Sequence, residues 1–129
     1  MTAPIPQQSA LIEAFHLRVL REQDPELYRL AQQTRAHVMR NGALSAKTKT
    51  LMAMLCDAVR DRHAAVPFLA DMARSQGASE AEIAETLAVA YWIGGVHALN
   101  TGAEAFRGSA LAATGAQSPP SNIDVVDEA

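Results

Sequence analysis

Gly77-Ala78-Ser79-Glu80-Ala81-Glu82-Ile83 is the stretch whose reading decides how this chain folds. Glycine enters the left-handed backbone region without steric cost, so Gly77 suits the residue that ends a helix. Ser79 and Glu82 then stand three apart, the spacing at which each side chain accepts from the other's backbone N–H and starts a new helix. The heptapeptide is therefore a stop followed at once by a start, and two helices are expected to meet there.

Downstream, the new helix is expected over Glu80 to Ile93, and its end, Leu87-Ala88-Val89-Ala90-Tyr91-Trp92-Ile93, is apolar on every side. A helix wet on one face would alternate, and a chain of 129 residues has little core with which to surround such a segment. Contact with another subunit follows as the expectation. Gly94-Gly95 interrupts, and a last helix is expected over Val96 to Phe106, with His97 and Asn100 near its start.

Upstream, Ser45 opens a helix whose buried face is expected to be Met52, Leu55, Cys56 and Val59, with His63 beyond them. Arg60-Asp61-Arg62-His63 interrupts the apolar pattern, and Pro67 cannot sit mid-helix without losing a hydrogen bond, so a break is expected between 60 and 67. Before that, Asp24-Pro25-Glu26 is a helix start, with a capping side chain, proline in the first turn and an acid against the dipole. Leu27, Leu30, Ala31, Thr34 and Val38 form its stripe until Asn41-Gly42 stops it. Ser9 can cap a first helix carrying Leu11, Ile12, Phe15, Val19 and Leu20 and ending near Gln23. Residues 1–8, with Pro4 and Pro6, read as an extended arm, 9–107 as one helical domain, and 108–129, rich in small residues and ending in acids, as a disordered tail.

Long β-branched or aromatic strand patterns are absent and alanine is abundant, so the expected class is all-α with five to six helices. A net charge of −3 with eleven dispersed basic residues offers no field for a polyanion, which argues against nucleic acid. No apolar run approaches the roughly 18 to 20 residues needed to span a bilayer, and the first residues lack a signal core; no membrane partner and a cytoplasmic location are expected. A single cysteine permits no internal disulfide and fits a reducing compartment.

Four segments, Leu44-Ser45-Ala46-Lys47-Thr48-Lys49, Glu82-Ile83-Ala84-Glu85, Val89-Ala90 and Ile93-Gly94-Gly95, resemble the carboxymuconolactone decarboxylase and alkylhydroperoxidase D-like family over roughly half the chain. The resemblance implies a helical bundle assembled as a homo-oligomer, a trimer or hexamer. It also implies where chemistry would lie. Active members of the peroxidase branch carry Cys-x-x-Cys-x-x-x-His with a glutamate upstream, because a low-pKa thiolate must attack peroxide and a second thiol one turn away must close the disulfide. Counting back from Gly77 in the family pattern puts Arg62 and Ala65 at the cysteine positions, Leu69 at the histidine and Thr50 at the glutamate. Aligning Cys56 with the first cysteine would need six further residues between motif and hinge. The decarboxylase branch fares no better, since its expected acid and histidine also fall on Ala65 and Leu69.

What remains at the resembled site is Arg62 and His63, with Tyr91, Trp92 and His97 across the Gly94-Gly95 break. Three readings follow. In the first, a cofactor-free lyase or isomerase binds a small acidic molecule between subunits. Arg62 then anchors a carboxylate, Tyr91 and Trp92 line the site, and His63 or His97 moves a proton. In the second, Arg62 and His63 are merely solvated or paired with Asp57 and Asp61, Tyr91 and Trp92 are core or interface, and the scaffold is a catalytically silent oligomeric binding or structural module. In the third, Cys56 alone acts as a one-cysteine peroxidase, against the simpler expectation of a small buried hydrophobe. A metal held by His63, His97 and Asp61 would need three side chains within about 2.0 to 2.2 Å of one ion, which no spacing here demands, so no metal or other cofactor is expected.

Overall fold

A computed structural model describes residues 15–108. The arm expected over 1–8, the helix start at Ser9 and almost all of the expected tail lie outside these residues. Within them the chain forms α1 (Phe15–Gln23), α2 (Pro25–Met39), α3 (Ala46–Val59), α4 (Ala65–Ser75), α5 (Glu80–Gly94) and α6 (Val96–Gly102), with a 3-10 turn at Ala103–Phe106. No strand occurs among the described residues.

The caps form as the side chains dictate. Asp24 accepts from the Leu27 N–H with Pro25 in the first turn of α2, and Ser45 accepts from the Thr48 N–H at the head of α3. Lys49 donates to the carbonyls of Val38 and Arg40 at 2.8 and 2.7 Å, satisfying acceptors left over at the end of α2. At the deciding heptapeptide, Gly77 has φ +95°, and the N–H groups of Ala78 and Gly77 donate to Ala73 and Arg74 carbonyls at 2.9 and 3.0 Å, the paired bonds of a Schellman ending. Both halves of the Ser79/Glu82 capping box are made. The expected break between 60 and 67 is present, and Pro67 falls in the first turn of α4, where no intrahelical donor is missed.

Helices α3 and α5 run parallel in a constant register. Lys47 pairs with Glu82 at 2.9 Å near their starts, and Val59 lies against Gly94 at their ends. The core between them and α4 and α6 is Met54, Ala58, Val66, Ala70, Ile83, Leu87, Ala90 and Ala98. Alanine at half of these positions lets the axes approach closely. The tightest approach is at Gly102, where a Cβ would stand 2.6 Å from Leu87 Cδ2. Arg74 fastens the same end of the bundle. It donates to Asp71, to both Glu80 oxygens and to the Ala105 carbonyl, and lies over the Phe106 ring.

The face of α3 corrects the sequence reading. Thr50, Met54 and Ala58 point into the core, whereas Met52, Cys56 and His63 are exposed and Leu55 and Val59 half-buried. Small residues at 50 and 58 hid the true stripe, because periodicity weighted by size follows the larger side chains one position away. At the apolar end of α5 Leu87 and Ala90 are buried, whereas among the described residues Trp92 is 86% and Ile93 67% exposed, with Val96 just beyond at 71%.

Candidate functional site

Helix α3 ends in a second Schellman turn. The Arg62 N–H donates to Asp57 O at 2.9 Å and the Asp61 N–H to Ala58 O at 3.3 Å, which places Asp61 at the left-handed position with φ +56°. Glycine is the usual occupant of that position, and for an L-residue the conformation is unfavourable. Asp61 is the sole non-glycine residue in this region among those described. Its side chain is thereby thrown across to α6, where Oδ1 accepts from His97 Nδ1 and from Thr101 Oγ1, each at 2.9 Å. Thr101 Oγ1 lies in turn 3.3 Å from His63 Nε2.

The structure thus brings together the two histidines singled out from sequence, although 34 positions separate them. What joins them is Asp61 and Thr101. The hydrogen bond from His97, with that from Thr101, holds the Asp61 carboxyl below the usual carboxylate range. An ionised carboxylate only accepts, so His97 carries its proton on Nδ1 in this bond and presents Nε2 as a free acceptor when the ring is neutral. Asp61 and His97 are both half-exposed and reachable. Glu104, in the 3-10 turn, is held ionised by its ion pair with Arg107 and feels the charge His63 can carry.

Arg62 extends from the same turn and makes a loose ion pair, 3.8 Å, with Asp57, leaving its side chain about half exposed. The pairing of Arg62 with Asp57 is the one the silent-module reading anticipates; His63 reaches Asp61 only through Thr101. Tyr91 and Trp92 occupy the last turn of α5 and are exposed, outside the hydrogen-bonded cluster. Cys56 is exposed, not buried as expected, and no hydrogen bond reaches its thiol among the described residues. The positions matched to the peroxidase motif do not converge on chemistry. Thr50 is buried and donates to the Ala46 carbonyl, and Leu69 lines an apolar groove of about 600 Å³ with Leu27, Leu30, Val38, Ala53 and Met72. Among the described residues no three His, Cys, Asp or Glu side chains are arranged to hold a metal ion, and no helix is long and apolar enough to cross a membrane.

No sequence motif singles out Thr101, and Asp61 stands out in sequence only as an ion-pair partner or metal ligand. The signal available was slight: a polar residue on the otherwise small, apolar inward face Ala98-Thr101-Gly102-Ala105, facing a break already known to contain Asp61.

The family model for carboxymuconolactone decarboxylases matches residues 25–108 of this chain. The match takes in α2 to α6 and the clustered residues, and the chain belongs to the carboxymuconolactone decarboxylase family. Searches of curated proteins and of solved structures return no match to it.

Proposed function

We propose that this chain is a cofactor-free enzyme of the lyase or isomerase type, acting by proton transfer on a small organic acid. The observation that carries the reading is the Asp61–His97 pair: a carboxylate orients an imidazole, fixes its tautomer and leaves the opposite nitrogen free, the arrangement by which a histidine becomes a general base. His97 Nε2 removes a proton from carbon beside the substrate's carbonyl or carboxylate, and the electron pair of that bond moves into the neighbouring oxygen. Arg62 donates to the substrate's carboxylate, since its own partner Asp57 is distant enough to yield. Tyr91 and Trp92 supply apolar walls, and His63 stands behind the pair. Because the pair is half-exposed and the chain just before His97 leaves Trp92, Ile93 and Val96 exposed, a second copy of the chain is taken to close the site, in a trimer or hexamer.

The test is deuterium incorporation, followed by NMR, into a panel of small keto acids and unsaturated dicarboxylates incubated with the protein in heavy water. Incorporation by the wild type, reduced about 100-fold or more in His97→Gln, is expected. No incorporation and no binding across the panel overturns the reading.

A second reading, a catalytically silent oligomeric binding module, draws on the inert residues Thr50, Ala65 and Leu69 at the resembled catalytic positions and on the apolar groove that Leu69 lines. It predicts saturable binding without exchange. A one-cysteine peroxidase centred on Cys56 has only the exposure of that thiol in its favour; slow labelling of the native protein by a thiol reagent at neutral pH removes it.

A further inference from the structure

Three helical threonines, Thr34, Thr50 and Thr86, turn their hydroxyls back onto the carbonyl four residues earlier, at 2.9, 3.0 and 2.7 Å. This is the ordinary resting place of a helical threonine hydroxyl. Thr101 departs from it. Although fully buried in α6, it sends its hydroxyl out of the helix to Asp61 and sits within reach of His63. Valine has nearly the same shape, so packing alone does not call for an oxygen here.

A hydroxyl has one proton. Ionised Asp61 cannot donate, so that proton lies on the bond to Asp61 Oδ1, and the contact between Thr101 Oγ1 and His63 Nε2 must have the histidine as donor. We infer that Thr101 is a positioning residue that joins both imidazoles through Asp61 in one directed chain: His63 Nε2–H to Thr101, Thr101 O–H to Asp61, and His97 Nδ1–H to the same carboxylate oxygen. The two histidines thereby receive different roles. His97 keeps its outward Nε2 as an acceptor, while His63 has its Nε2 committed as a donor and cannot serve as the base through that atom. The groups facing the chain are Asp61 from the turn after α3, Thr101 and His97 from α6, and Glu104 from the 3-10 turn beside His63.

The inference rests on the proposed reading for its purpose but needs no substrate for its test. Long-range proton–nitrogen NMR of the imidazoles, recorded above neutrality on the full chain, is expected to find His97 as the Nδ1–H tautomer and His63 as Nε2–H. Thr101→Ser should keep both, together with a slowly exchanging Nδ1 proton on His97. Thr101→Val should lose that proton signal and release His63 to the tautomer mixture of a free imidazole. His97 found as Nε2–H, His63 found as Nδ1–H, or a folded Thr101→Val protein with wild-type signals overturns the chain of bonds. Should Thr101→Val not fold, the wild-type tautomers and their retention in Thr101→Ser decide. Correct tautomers in a protein that neither binds nor exchanges any acid uphold the chain of bonds and end the enzymatic reading instead.

Discussion

Helices α3 and α4 finish in the same turn, and the residue at its left-handed position differs. After α4 it is Gly77, which takes φ +95° freely and adds no side chain. After α3 it is Asp61, held at φ +56° with its carboxylate aimed at α6. The surroundings differ in the same sense. Around Gly77 the polar side chains make structural bonds: the capping box closes the start of α5, and Arg74 gathers Asp71, Glu80 and the Ala105 carbonyl. Around Asp61, α4 has Ala64 as its N-cap residue and no side-chain cap, although a carboxylate stands three residues away. One turn is built for stability. The other forgoes a cap and accepts backbone strain in order to orient two side chains of α6, the pattern expected where function constrains the backbone.

The largest test of this contrast removes the fastening around Gly77. Arg74→Ala should lower unfolding free energy by about 2 to 3 kcal/mol, read from urea denaturation, since it frees two carboxylates and a half-buried carbonyl at once. Gly77→Ala should cost about 1 to 2 kcal/mol, the penalty of an L-residue in that conformation. Asp61→Gly should come out within about 1 kcal/mol of the wild type, because relief of the left-handed strain offsets the lost bonds to His97 and Thr101. Activity on any acid substrate should nevertheless fall with it. A loss of stability as large as that of Arg74→Ala would show Asp61 to be a structural staple.

The smallest effect lies in the acid range. Hydrogen bonds from Arg74 and from Lys47 hold the Glu80 and Glu82 carboxyls below their ordinary values. Groups with depressed folded-state values stabilise the fold above the unfolded carboxylate range near pH 4, and that contribution disappears as pH falls through the folded value. Glu80→Gln should therefore flatten the decline of melting temperature below about pH 4 and leave its slope near neutrality unchanged.

These two turns also mark how far the residues alone carry a reader. Gly77, Ser79 and Glu82 act on backbone within three positions of themselves, so the α4–α5 junction and the helical class were legible in the sequence. The order of elements alone sets His63 and His97 on either side of the glycine break, and the structure places both in one hydrogen-bonded cluster that does not include Cys56. The link between them was not legible, since it depends on Asp61 adopting a left-handed conformation and on α6 packing so that Thr101 faces it. Nor was the inward face of α3, where Thr50 and Ala58 carry too little apolar bulk to outweigh Met52 and Cys56.

The sequence contains one tryptophan, and it is the most exposed large apolar side chain among the described residues. Indole emission from this protein therefore reports a single place, the exposed rim at the end of α5. Any event that covers the rim, whether self-association on raising concentration or arrival of an aromatic or charged ligand, is encoded in one uncontaminated spectrum: a shift to shorter wavelength marks loss of water around Trp92, and its midpoint on dilution gives the affinity of whatever covers it.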